Sequence, residues 1–299
     1  MRSNIKTISL ALLVMALWGS LYPMVKIGYN AFEISSDSIP DILMFAGVRF
    51  VVCGLIVCIY SYFKKEKIAS PKAKNIINIF IMGLFSIVLH YAFTYIGLST
   101  TDSSKTALIK QLGALIYVCF AFVFFKNEKF SILKIVGAII GFSGIIAINY
   151  NPSGITFSTG DILIIGASVC LVISNIISKK SAEGNSPFWM TGISQLSGGV
   201  ILLVAAIVMG ADMLNFSLKS TIVFGYICIA SISAYTLWYY ILKNNSLSKM
   251  FIIKFAEPLF ACVFGAVLLG ENIFKIQYLF AFILISAGIV LGNRSESKE

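Results

Sequence analysis

The sequence predicts an all-α integral membrane protein of ten transmembrane helices, built as two five-helix repeats of inverted topology. Three observations predict it: a composition too apolar for water, a division into ten membrane-length runs, and a self-match at one offset of 144 residues. Of the 299 residues, 58% are hydrophobic and only 12% charged. A soluble domain carries about 25% charged residues. So much apolar surface has no place to hide in a soluble fold, so the solvent is expected to be lipid. The net charge of +10 is spread through short loops rather than clustered on one face, which argues against a nucleic-acid partner. The six cysteines (Cys53, Cys58, Cys119, Cys170, Cys228, Cys262) all fall within apolar runs without CxxC spacing, which points to packing and to no metal site.

A span needs about 20 mostly apolar residues to cross a hydrocarbon core of about 30 Å. Polar or proline-bearing breaks leave such runs at 7–29, 41–63, 75–98, 101–125, 131–150, 160–179, 188–210, 219–242, 246–269 and 274–293. The first run extends too far, with no small-residue cleavage site, for a signal peptide and is expected to be a retained span. Pro40, Pro71, Pro152 and Pro187 stand at breaks, where helices tolerate them; Pro23 and Pro258 lie within runs and are expected to kink them. Connections are short, so whatever the protein does is expected to happen in the membrane.

Lysine and arginine set the orientation. With the N-terminus in the cytoplasm, sixteen Lys and Arg fall at inside ends and only Lys26, Lys105, Lys219 and Lys275 at outside ends. The expectation is a multi-pass cell-membrane protein with both termini cytoplasmic.

At the 144-residue offset, runs three to five align with runs eight to ten without gaps. Tyr91 falls on Tyr235, Tyr95 on Tyr239, Leu98 on Leu242, Ser104-Lys105 on Ser248-Lys249, Lys110 on Lys254, Leu115 on Leu259, Phe120 on Phe264, Phe130 on Phe274, Gly144 on Gly288 and Asn149 on Asn293. The halves divide as 1–150 and 151–299. Five spans per half is an odd number, so the halves point in opposite directions, the layout of secondary transporters that rock one half against the other around a midplane site. The repeat also fixes depth. Lys110 lies about 14 Å beyond the start of its helix near Thr101, and Lys254 about 12 Å beyond the start near Ser246. One helix enters from each side, so both lysines end near the bilayer middle. Lys105 and Lys249 lie nearer the ends and are expected to snorkel to the headgroups.

These residues, with "LWGS" at Leu17–Ser20, Lys26 closing the first run, Arg49-Phe50, and "EPLFACVFGAVLLGE" from Glu257 to Glu271, resemble the EamA-type drug/metabolite transporter superfamily over nearly the whole chain. The resemblance implies the five-plus-five inverted layout and transport of a small metabolite through a central cavity lined by spans 1–4 and 6–9. One departure is Gly113-Ala114, where the family often has a proline and where the second half has Glu257-Pro258. The resemblance names no substrate and no cofactor.

A charge in mid-bilayer costs at least about 2.5–3.5 kcal/mol, so such residues are expected to face a cavity or a partner. For Lys254 the plain alternative to ligand contact is an ion pair with Glu257, three residues on. Lys110 has no local acid and is the first candidate for a ligand's counter-charge. Arg49, about 13 Å into span two, is either a substrate contact or a lock onto backbone carbonyls. His90 titrates near neutrality, which suits a proton relay, although a lone histidine is more often a satisfied hydrogen-bonding residue. Glu257, the mid-span acid beside Pro258, is the candidate for proton coupling. Tyr91 and Tyr95, and likewise Tyr235 and Tyr239, share a helix face; with Trp18, Trp238 and Tyr117 they are candidates to line the cavity, against ordinary packing. Gly137 and Gly141 have the small-xxx-small spacing of close helix packing or dimerisation, leaving monomer and homodimer open.

The leading expectation is a secondary transporter, an exporter, of a small organic solute with a negative group such as an amino acid or carboxylate, coupled to protons or a counter-solute. The alternative within transport is an exporter of cationic or amphipathic compounds held by Glu257 and the aromatics. A membrane enzyme or receptor is the alternative of another class; against it, the chain carries no HExxH, nucleophile elbow, P-loop or metal-ligating cluster.

Overall fold

The computed structural model describes residues 2–66, 73–124, 132–148, 150–151, 154–155, 157–182, 185–245, 250, 253–254, 256–273 and 275–294. Lys249, Phe130, Phe274, Asn149, Pro71, Pro152 and the loop lysines Lys67, Lys72, Lys126, Lys129 and Lys298 lie outside the described residues. Among the described residues, the regular structure is helical apart from a short antiparallel hairpin of two-residue strands, β1 (Tyr150–Asn151) and β2 (Gly154–Ile155). The first half holds α1 (Arg2–Ala31), α2 (Ile39–Phe63), α3 (Ala73–Gly83), α4 (His90–Thr100), α5 (Ser103–Ile109), α6 (Leu112–Phe124) and α7 (Ile132–Ile148). The second holds α8 (Thr159–Ser181), α9 (Pro187–Val208), α10 (Leu218–Asn244), α11 (Ala256–Leu269) and α12 (Ile276–Arg294). Each helix falls on an apolar run expected from sequence. Among the described residues, six helical stretches are long and apolar enough to cross a membrane, and Ile135–Gly144, Ala256–Leu269 and Ile276–Gly288 are shorter apolar helices.

Helix starts follow local chemistry. Ser158 and Ser217 form capping boxes with Asp161 and Ser220, and Ser186 caps α9 with Pro187 in its first turn, where no intrahelical amide is needed. Helix pairing is symmetric under exchange of the halves. The first helix, α1, packs on α10 and α11; its counterpart α8 packs on α3 and α4 and on α5 and α6; α2 packs on α9, and α7 on α12. The α2–α9 seam is close because it is lined by glycine. A Cβ on Gly47 would stand 2.7 Å from the Leu203 amide nitrogen, and one on Gly199 2.5 Å from that of Val51. The Gly137/Gly141 motif is used within the chain, where Gly288 of α12 lies against both backbones.

Two features went beyond the sequence expectations. Between α3 and α4 the helix passes through a π-helical segment, Leu84–Leu89, which rephases the face that follows; such segments concentrate at functional sites. In the fourth span the helix is broken rather than continuous: α5 ends at Ile109, Lys110 and Gln111 form a turn, and α6 begins at Leu112. The ninth span shows the same interruption, with Ile253 helical, Lys254 in a turn and α11 beginning at Ala256. Pro258 therefore sits in the first turn of a helix and not inside a continuous one, whereas Pro23 lies within α1.

Candidate functional site

The two breaks are built alike. The Gly113 amide bonds the Lys110 carbonyl at 3.2 Å, and the Glu257 amide bonds the Lys254 carbonyl at 3.0 Å, both in the tighter i→i+3 pattern. Because Gly113 and Glu257 are 144 residues apart, the same backbone bond is made twice at one register. A broken helix frees backbone groups, which membrane proteins tolerate only where protein or a cavity receives them. Here the lysine of each break lines a central cavity.

Four helix faces, with Arg49 of α2, Ser86 of the π segment and Glu257 of α11, complete its wall. Trp18, Leu21, Tyr22 and Val25 of α1 have i, i+3, i+4, i+7 spacing; His90, Tyr91, Thr94, Tyr95 and Leu98 line it from α4; Leu171, Ser174 and Asn175 from α8; Tyr235, Trp238 and Tyr239 from α10. Gly19 lets α1 meet the first turn of α11, since a Cβ there would lie 2.9 Å from the Ala261 nitrogen and 3.0 Å from the Glu257 carbonyl oxygen. That approach sets Tyr22 beside Glu257 and Trp18 beside Lys254. The ring centroids of Tyr91 and Tyr235 are 6.4 Å apart, so these repeat-equivalent side chains meet across the cavity. Trp18 continues the aromatic wall at 5.8 Å from Tyr235 and 5.2 Å from Trp238.

Every candidate contact singled out in the sequence (Lys110, Lys254, Arg49, His90, Glu257, Tyr91, Tyr95, Tyr235, Tyr239, Trp18 and Trp238) lines this one cavity. Tyr117 does not; it faces a separate apolar groove with Ile116 and Phe120. Tyr22 and Asn175 were missed. Tyr22 lies four residues after Trp18 on the same helix face, but its partner on another helix has no sequence signal, and none marks Asn175.

The charged groups differ in how they are held. Lys254 Nζ lies 3.8 Å from Glu257 Oε2, 5.1 Å from the Trp18 ring and 5.6 Å from the Trp238 ring. Glu257 Oε1 also accepts a 2.6 Å hydrogen bond from Tyr22, and the Trp238 indole donates to Asn175 at 3.0 Å. Among the described residues, Lys110 Nζ has no carboxylate in contact; it meets His90 Nε2 at 3.0 Å and stands 5.1 Å from the Tyr22 ring. His90 stacks on Tyr91 at 4.7 Å, and its Nδ1 is buried without a hydrogen-bond partner. An Nε2 that accepts from the lysine ammonium puts the imidazole proton on Nδ1. Arg49 is fully buried and donates to the Ser231 hydroxyl from Nε, at 3.0 Å, and from Nη2. Its guanidinium lies 4.6 Å from the Phe50 ring and 5.4 Å from the Tyr91 ring. The backbone-carbonyl lock considered from the sequence is absent from its hydrogen bonds among the described residues.

Away from the cavity, both halves are tied at the start of α5. Glu271, just past α11, accepts from the Ser103 amide (2.8 Å), the Ser104 amide (3.0 Å) and the Ser104 hydroxyl (2.6 Å). It thereby caps a helix from the other half of the chain. Burial alone would raise the Glu271 carboxyl, but these hydrogen bonds outweigh it and hold it below the ordinary glutamate value. Lys105 departs from expectation. Instead of snorkelling to the headgroups, it bridges at 2.9 Å to Asp161, whose fully buried carboxylate requires a cation.

Long helices of membrane length around a charged central cavity, entered by two broken helices, define a multi-pass membrane protein of the transporter class. The EamA-like transporter family matches residues 5–150 and again 158–293. The chain belongs to that family. It is similar to the uncharacterized inner membrane transporter YedA of Escherichia coli K12, 26% identical over 91% of this chain and 88% of the relative. It is also similar to an uncharacterized transporter of Archaeoglobus fulgidus, 23% identical over 90% of this chain and 91% of the relative. A WAT1-related chloroplastic protein of Arabidopsis thaliana is 24% identical over 85% of this chain and 63% of the relative. A solved crystal structure 15% identical in sequence shares the fold with a TM-score of 0.66, covering 97% of this chain and 98% of that one.

Proposed function

We propose that the protein is a secondary active exporter of a small organic metabolite bearing a negative group, such as an amino acid or organic anion, working by alternating access at the central cavity. The observation that carries this reading is the charge of the wall: Lys110, Lys254 and Arg49 face Glu257 as the sole carboxylate among the described lining residues. Two cations are thus left without an acid, and a ligand's carboxylate or phosphate supplies what the wall lacks. The paired breaks and the symmetric helix pairing support two inverted-topology repeats, 1–150 and 151–299, that rock about the cavity, with both termini in the cytoplasm. Glu257 and His90 are the groups we assign to coupling with protons or a counter-solute. No cofactor enters this scheme, and a monomer or a homodimer is compatible with it.

The competing reading, export of organic cations by Glu257 and the aromatic wall, meets an obstacle. The Trp18–Trp238 pair and Glu257 already hold the ammonium of Lys254. The test is transport in proteoliposomes loaded with labelled amino acids, carboxylates or quaternary amines. Anion transport by the wild type that disappears in Lys110→Ala and Lys254→Ala, with both variants still folded, is the expected result; unchanged transport in both variants contradicts the reading.

A further inference from the structure

Resting on the reading of the cavity as an anion site, we infer that its ligand carries two separated negative groups, one met by Lys110 and the other by Arg49. Of the three wall cations, Lys254 is locally neutralised by Glu257. Lys110 and Arg49 are not, and they come from different helices. A chain of contacts joins them, from the Arg49 guanidinium to the Tyr91 ring, from Tyr91 to the stacked His90 imidazole, and from His90 Nε2 to Lys110 Nζ, with no carboxylate anywhere along it.

A structural role would leave Arg49 saturated. A buried guanidinium that locks two helices normally spends its five donors on carbonyls or a carboxylate, because an unpaired donor in low dielectric is costly. Here two of its nitrogens converge on one serine hydroxyl, and Nη1 is buried without a partner on a residue lining the cavity. The Tyr95 ring lies 5.6 Å from the guanidinium, and the Tyr95 and Thr94 hydroxyls, both on cavity-lining residues, are buried without partners. This cluster forms a second acceptor-seeking pole on α2 and α4, apart from the break that carries Lys110. An imidazole in any protonation state brings no negative charge to Lys110, so both poles stay without a counter-charge. A monoanion answers only one of them. A linear molecule with an acid at each end answers both, and its aliphatic middle lies along the aromatic wall.

The experiment uses the purified full-length protein and measures binding of α,ω-dicarboxylates of three to seven carbons beside the monoamide of each. At the best chain length the diacid is expected to bind at least about tenfold tighter than its monoamide. In Arg49→Gln the diacid affinity falls by a larger factor than the monoamide affinity, so that the gap closes; in Lys110→Ala both fall. If the Arg49 variant does not fold, the wild-type ladder still decides. Monoamides binding as well as diacids at every length, through Lys110, would overturn the two-pole assignment and leave the anion-site reading standing. Binding of quaternary amines with no acid bound would overturn both. A diacid preference that persists in a folded Arg49→Gln would show that Arg49 is not the second pole.

Discussion

The Lys110 and Lys254 breaks share a backbone and differ in chemistry. At the same register each interrupts a span and makes the same carbonyl bond three residues on, and each directs a lysine into one cavity. Around Lys254 the chain supplies an acid, a proline and two tryptophan faces; around Lys110 it supplies Gly113-Ala114, a histidine and a tyrosine face. The helix interruption therefore does not need the proline, since the first half breaks without one. Symmetry is kept in the backbone of the two breaks and lost in the charges beside them. On the proposed reading, the lysine that is already paired serves the wall, and the one without an acid beside it is left for the ligand.

This comparison can be broken in order of expected effect. Lys110→Ala is expected to abolish solute transport while the detergent-solubilised protein keeps its melting temperature, because no carboxylate loses a partner. Lys254→Met is expected to cost stability as well, by about 3–5 kcal/mol, because it strands the buried Glu257. Adding Glu257→Gln should recover most of that loss in a thermal-unfolding double-mutant cycle, whereas the cycle between Lys110 and Glu257 should show a weaker coupling. Equal coupling for both lysines would erase the distinction drawn here. Tyr22→Phe removes the hydrogen bond to Glu257 and is expected to cost about 1.5–3 kcal/mol by the same measurement.

The smallest effect concerns the tie between the halves. Glu271→Gln weakens the cap on α5 and should cost about 1 kcal/mol. Its pH dependence has a definite sign. The folded carboxyl is held below the ordinary value of about 4.3, so its contribution is present above that value and is lost as pH falls through the lower folded value. Melting curves of the wild type from pH 7 downward should therefore fall more steeply in acid than those of Glu271→Gln; parallel curves would remove Glu271 from the account.

Much of this was legible in the chain because a bilayer leaves few choices. Apolar runs between polar breaks located the helices to within a few residues, and the charges in mid-run marked the cavity, since lipid tolerates them nowhere else. What stayed hidden depends on geometry without a one-letter signature. The π segment before His90 contains only ordinary helix formers, and nothing in "KTALIKQLGAL" announces a break at Lys110. The pairing of Lys105 with Asp161 links positions 56 residues apart and required the α5–α8 crossing to be known. Tyr22 escaped notice because its value lies in reaching Glu257, 235 residues away, through the gap that Gly19 provides.

The most direct test of the central claim compares two variants against two ligand classes in proteoliposomes. Labelled organic anions and labelled quaternary amines are offered to the wild type, Lys110→Ala and Glu257→Gln. The account predicts that the wild type carries an anion and no quaternary amine, and that Lys110→Ala carries neither. A wild type that carries the amine, loses it in Glu257→Gln and keeps it in Lys110→Ala would contradict the assignment of Lys110 as the ligand's counter-charge.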